Sequence, residues 1–149
     1  MSRRIGDSVA VAVHVRFFDS PNEIVGNSVA NNTPQAYYAR AVEQLETCVP
    51  DAHYFIFSDQ PEAARSCIPL PEHRLTYVSH NQGDDDAYAD LWLMAQCQHF
   101  IIANSTFSWW GAWLAASPDK LVVAPGFEKR DGVSWWGFKG LLPEEWITC

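Results

Sequence analysis

Hydrophobic and small or polar positions alternate along residues 8–17, SVAVAVHVRF: Val9, Val11, Val13 and Val15 fall on one face, Ala10, Ala12, His14 and Arg16 on the other. A period of two is that of a strand, and a face of small residues lets a helix pack closely. After a Gly/Asn-rich loop the period lengthens. Residues 33–49, TPQAYYARAVEQLETCV, place Tyr37, Ala41, Leu45 and Cys48 at helical spacing, with Thr33 predicted as the cap and Pro34 at the first helical position. The alternation then repeats. AHYFIFSD (52–59) predicts a buried strand, QPEAARSCI (60–68) a short helix and RLTYVS (74–79) a strand. DDDAYADLWLMAQCQ (84–98) predicts a helix opening on acids, HFIIAN (99–104) a strand, FSWWGAWLAAS (107–117) a helix and DKLVVAP (119–125) a final strand. Strands separated by helices of this length imply an open α/β domain, a mainly parallel sheet with helices on both faces.

Composition adds limits to this pattern. With 149 residues, 48% of them hydrophobic and 19% charged, the chain suits one domain with a sizeable core. A formal charge of -8 opposes attraction to nucleic acid or anionic lipid, so an anion site has to be local. Cys48, Cys67, Cys97 and Cys149 form no CxxC pair and have no His at ligand spacing, which favours free buried thiols over zinc. No apolar run approaches the ~18 to 20 residues of a membrane span, and the start MSRRIGDSVAVAVHVR breaks too early into a charged strand pattern for a signal peptide. A cytoplasmic location, peripheral to a membrane at most, is expected.

In parallel α/β sheets ligands sit beyond the carboxyl ends of the strands. Four polar clusters fall there: HVRFFD, SDQPE, SHNQGDDD and NSTFS, which should converge on one rim. Asn104, Ser105, Thr106 and Ser108 surround a helix start, whose unpaired amides and positive dipole end suit phosphate. Capping by Ser105 or Thr106 is the plain structural account, and the two are compatible. Trp109, Trp110 and Trp113 read as core bulk. Arg16 is the second half of an anion site, because its guanidinium grips phosphate oxygens bidentately. His14 is either a buried imidazole donating to a carbonyl or a proton-transfer group, and Asp19 either orients Arg16 or caps a turn. Ser58 and Asp59, after the second strand, belong to the same rim.

HVRFFD (14–19), YFIFSD (54–59), YADLWLMAQCQHFIIANSTFSWWGAWL (88–114) and LLPEEWI (141–147) together resemble the sugar-nucleotide-binding half of glycosyltransferase family 11, the α-1,2-fucosyltransferases. The resemblance runs in order across nearly the whole chain, and the long third block is its specific part. It implies one Rossmann-like domain of a two-domain GT-B enzyme, binding GDP-fucose for inverting transfer to a galactoside hydroxyl without a metal or other cofactor. By position, Arg16 holds the β-phosphate, His14 and Asp19 shape that loop, and Asn104, Ser105, Thr106 and Ser108 line the diphosphate pocket. Asp90 stands where the family has an acid, for guanine or ribose, with solvation of its helix as the alternative.

Two departures qualify the likeness. The family's usual HxRRGD has Phe17 and Phe18 here in place of its second Arg and its Gly, which removes a charge-assisted contact of ~1.5 to 3 kcal/mol. The motif also begins at residue 14, so residues 1–149 correspond to the donor half and the amino-terminal acceptor half of a usual member is absent. Departure of GDP builds charge that Arg16 and the 104–108 turn stabilise in type. For the general base, His14, Asp19, His80 and Asp84 to Asp86 stay open. The Asp triplet reads as a solvated helix start, Trp135 and Trp136 as an aromatic lock, and His53, His73 and His99 form no constellation. Expected partners are a nucleotide sugar, an oligosaccharide acceptor and a second chain or self-association supplying the missing half. The alternatives are a non-catalytic nucleotide-sugar-binding module or fragment, and a flavodoxin-like regulatory or interaction domain.

Overall fold

The computed structural model of the chain describes residues 1–18, 32–81, 83–126 and 141–149, with two short strands at 129–130 and 133–134. The valine and alanine alternation forms β1 (Ala10–Val15) at the centre of a six-stranded sheet. Its companions are β2 (His53–Ser58), β3 (Leu75–Val78), β4 (His99–Ile101) and β5 (Val122–Ala124). After a hairpin of β6 (Lys129–Arg130) and β7 (Val133–Ser134), the sheet closes with β8 (Ile147–Thr148). All five pairings are parallel, in the order β3-β2-β1-β4-β5-β8. The chain winds outward first through β2 and β3, then in the other direction through β4, so the order reverses beside β1 and opens a crevice between β1 and β4.

Helices cover both faces. The valine face of β1, with Tyr54, Ile56, Ile101 and Val123, packs under α2 (Gln35–Glu46) and α3 (Pro61–Ala64). Ala10 and Ala12 admit the opposite layer, α4 (Ala87–Met94) and α5 (Thr106–Leu114), with Ile5 of α1 (Ser2–Gly6). The small-residue face thus does what the pattern requires of it. Close approach continues within that layer, where a Cβ added to Gly111 of α5 would meet Met94 of α4 at 3.2 Å.

Several local expectations are corrected. Residues 2–6, to which the pattern assigned no element, are helical, and Ile5 finds a fully buried place beneath the sheet. The strand at 119–125 is not the last, since Ile147–Thr148 pairs beside it. Asp84–Asp86 forms a separate 3-10 turn before α4. Cys48 is exposed, lying past the end of α2, while Cys67 and Cys97 are buried and Cys149 is intermediate. Trp110 and Trp113 are each half exposed, and only Trp109 packs on the core, donating its indole N–H to the Leu141 carbonyl at 3.0 Å.

Side chains of α2 fix the carboxyl ends of three strands. The buried Tyr38 hydroxyl donates to the His14 carbonyl of β1 at 3.1 Å. That of Tyr37 reaches the Ile102 and Val123 carbonyls at 2.8 and 2.9 Å, sharing its one proton between the ends of β4 and β5. Removing either hydroxyl leaves a buried carbonyl short of its donor, a loss of about 1 to 3 kcal/mol. The opposite end of the sheet is tied by Arg74, whose guanidinium holds both Glu46 oxygens at 2.6 and 2.8 Å and donates to the Ala52 carbonyl.

Candidate functional site

The crevice beside β1 gathers the residues that follow β1, β2 and β4. His14, the last residue but one of β1, is 4% exposed, and its ring lies 5.4 Å from that of Phe107 in the first turn of α5. Burial and the nearby Arg16 charge push its pKa down to about 3, so the imidazole stays neutral at ordinary pH. Its Nδ1 is buried with no hydrogen-bond partner among the described residues, where the expected donation to a carbonyl is not made from that nitrogen. A polar atom buried without a partner is costly, and a ligand reaching it would recover that cost.

Arg16 follows on the same side of the chain. Its guanidinium pairs with Asp59 after β2 at 3.4 Å and lies over the Phe18 ring, 5.4 Å from the centroid. Both partners of the ion pair are partly exposed, which makes it worth at most about 1 kcal/mol. Such a pair exchanges readily for a doubly charged diphosphate. Asp59 has a second duty, accepting the Phe17 backbone N–H at 3.1 Å, while the Ser58 hydroxyl accepts that of Gln60 at 3.0 Å. The Phe18 N–H is held in turn by the Asn32 side chain at 2.7 Å. Residues 17 and 18 are therefore each held through the backbone amide. Asp19 lies outside the described residues, as do Trp135 and Trp136.

Across the crevice, β4 feeds α5. Ser105 occupies the cap position, yet no side-chain hydrogen bond caps the helix. The Ser108 hydroxyl turns back to the Ser105 carbonyl at 3.2 Å, and Thr106 opens the helix. Among the described residues the helix start therefore lacks a side-chain cap, and its leading amides carry the positive polarity of a helix N-terminus. Asn104 is oriented by Thr33, which donates to its side-chain oxygen at 2.9 Å. Thr33 was expected to cap α2; Pro34 takes that position instead, and the Thr33 hydroxyl serves the β4 loop. The His14 and Phe107 rings meet between β1 and α5, and the charge of Arg16, two residues along from His14, is felt at the imidazole.

Asp90 belongs to a second group beyond β3. It accepts the Asn81 side-chain N–H at 2.6 Å, and burial raises its carboxyl above the usual range. Phe18, Asn32, Thr33, Tyr38 and Asn81 were not foreseen as site-shaping residues. The replacement of two usually small or charged positions by Phe17 and Phe18 was the one visible signal. Among the described residues no group of three or more His, Cys, Asp or Glu could hold a metal ion, and no helix is long and apolar enough to cross a membrane.

Known proteins are similar to this chain in sequence and in fold. Two Escherichia coli proteins are similar in sequence. The O-antigen biosynthesis glycosyltransferase WbnK is 32% identical over 76% of this chain and 37% of its own length. An alpha-1,2-colitosyltransferase is 29% identical over 93% of this chain and 47% of its own. The chain thus spans about half, or less, of the curated relatives it matches. Among solved structures, E. coli ADP-heptose lps heptosyltransferase II superposes with a TM-score of 0.55 over 95% of this chain and 38% of its own, at 15% identity. E. coli heptosyltransferase WaaC with ADP gives 0.52 over 99% and 41%, at 9% identity. These likenesses are of fold, a Rossmann-like α/β domain. The sequence model for Glycosyl transferase family 11 matches residues 2–131, and the chain belongs to that family.

Proposed function

We propose that this domain binds a GDP-deoxyhexose, GDP-fucose in the first instance, as the donor for inverting α-1,2 transfer to a galactoside. What supports the reading is that Arg16 follows β1 and the start of α5 follows β4, the parallel neighbour of β1, so that both stand at the carboxyl ends of adjacent strands. Loss of the nucleoside diphosphate places growing negative charge between them, where a fixed guanidinium and oriented amides stabilise it. In this arrangement Arg16 leaves Asp59 for the β-phosphate, Thr106 and Ser108 border the phosphates, and Asn104 is held ready by Thr33. Neutral His14 serves as a hydrogen-bonding group rather than a proton acceptor, because a pKa near 3 makes it a weak base. Asp90 and Asn81 are assigned to the base or ribose, and Ser58 with Asp59 to the wall of the nucleotide pocket. The chemistry asks for no metal or other cofactor, since charge neutralisation comes from the protein. The name of one relative, an alpha-1,2-colitosyltransferase, supports the linkage and leaves colitose as the second donor sugar to try.

Residues 1–149 act in this reading as the donor half. Acceptor binding falls to a further domain or a second chain, at a site in contact with cytoplasm. Titration calorimetry with GDP, ADP and GDP-fucose tests the proposal. Wild type should bind GDP and GDP-fucose, and Arg16→Ala should lose about 10- to 100-fold, the worth of one charge-assisted contact. Absence of heat with all three nucleotides would remove the reading, and preference for ADP would remove its guanine part.

A further inference from the structure

Phe18 brings no charge or hydrogen-bonding side chain to the anion site just described, yet its placement beside Arg16 is specific. Its backbone N–H is held by Asn32, the Arg16 guanidinium lies over its ring at 5.4 Å from the centroid, and the residue is 48% exposed. A half-exposed aromatic fixed this closely to an anion-binding cation meets whatever is covalently attached to the anion. In a nucleotide sugar, the hexose is joined directly to the phosphate that Arg16 would hold. Its ring carbons therefore come within one side chain's reach of the group 5.4 Å from the Phe18 centroid. A phenyl ring offers no hydrogen-bond partner, so a sugar hydroxyl turned onto it loses water and gains nothing, whereas a methyl or methylene gains contact. Small residues at this point would leave the same space to water.

We propose that Phe18 is a specificity-determining residue for the donor sugar, selecting a deoxyhexose by placing an apolar ring against the carbon that lacks its hydroxyl. The inference rests on the donor reading above and adds which part of the donor is read and by what. GDP-L-fucose and GDP-L-galactose differ in a single hydroxyl, which makes their ratio of affinities the direct measure. Calorimetric titration of the 149-residue chain should give a ratio near 10 in favour of GDP-L-fucose, the usual size of such apolar discrimination. Phe18→Asn should bring the ratio towards 1, and Phe18→Leu should keep most of it, since Leu preserves the apolar contact. GDP alone, with no hexose, reports on Arg16 separately. A ratio that is unchanged in Phe18→Asn overturns the assignment. So does a loss of GDP affinity as large as the loss of GDP-L-fucose affinity, which would mean that the ring only steadies Arg16. Failure of wild type to bind GDP at all is the different result that removes the donor reading itself, and this inference with it.

Discussion

At the residue scale, His14 joins stability to the site. Its folded pKa, about 3, lies below the ordinary value of 6.5, so the unfolded chain takes up a proton at this position before the folded one does. The stability linked to His14 is complete above pH 6.5 and is lost as pH falls towards 3. At pH 5 the loss from this residue is about 2 kcal/mol. His53 and His99 are also lowered by burial and act in the same direction. Between pH 7 and 5, above the range in which most carboxylates titrate, the histidines dominate. Urea unfolding at those two pH values should show a drop in wild type that is smaller by about 2 kcal/mol in His14→Asn. Equal drops in the two proteins would mean that the imidazole is already hydrated in the folded state. A ligand that accepts a hydrogen bond from Nδ1–H should raise the folded pKa and so reduce the acid loss.

At the scale of elements, α5 must sit close to both α4 and the sheet for its first turn to face β1, and Gly111 is where that approach is tightest. Two effects oppose each other there. Gly→Ala favours the helix by about 1 kcal/mol, while the new Cβ meets Met94 Cβ and Cε, each at 3.2 Å. Gly111→Ala should therefore be near neutral, and Gly111→Val, with two further methyls and poorer helix propensity, should cost about 1 to 3 kcal/mol in a urea titration. A Val variant as stable as wild type would show that the helices can part without penalty. Elements long enough to show a period were legible in the sequence, β1 by its valines and α2 by Tyr37, Ala41 and Leu45. Residues Ile147–Thr148 were not, because two residues carry no period and only the open edge of β5 makes them a strand. The candidate anion site was half legible. Arg16 and the 104–108 turn stood out as polarity at strand ends, but Thr33 looked like a cap and proved to hold Asn104, a pairing between residues 71 apart that no local pattern contains. Trp110 and Trp113 misled for a related reason: helix α5 has fewer neighbours than its composition implies, and both rings remain half exposed.

At the scale of the whole molecule, the sheet order brings Arg16 and the start of α5 to the carboxyl ends of adjacent strands, and the part of each relative that this chain matches is less than half of that relative. Stabilising the departing diphosphate is only part of catalysis. The acceptor hydroxyl has to be held in line and water kept out, and this positioning supplies about 7 to 11 kcal/mol of a typical barrier reduction. A single open face does neither. Monomeric chain of these 149 residues should therefore bind GDP-fucose while releasing GDP in the presence of lactose no faster than the background without protein. A GDP-release assay on the same sample as a light-scattering mass measurement reads both quantities together. Lactose-dependent release by a strict monomer would refute the division of labour. Release that grows with the square of protein concentration, alongside a dimer mass, would contradict it in another way, by placing the acceptor-holding residues on a second copy of this same sheet.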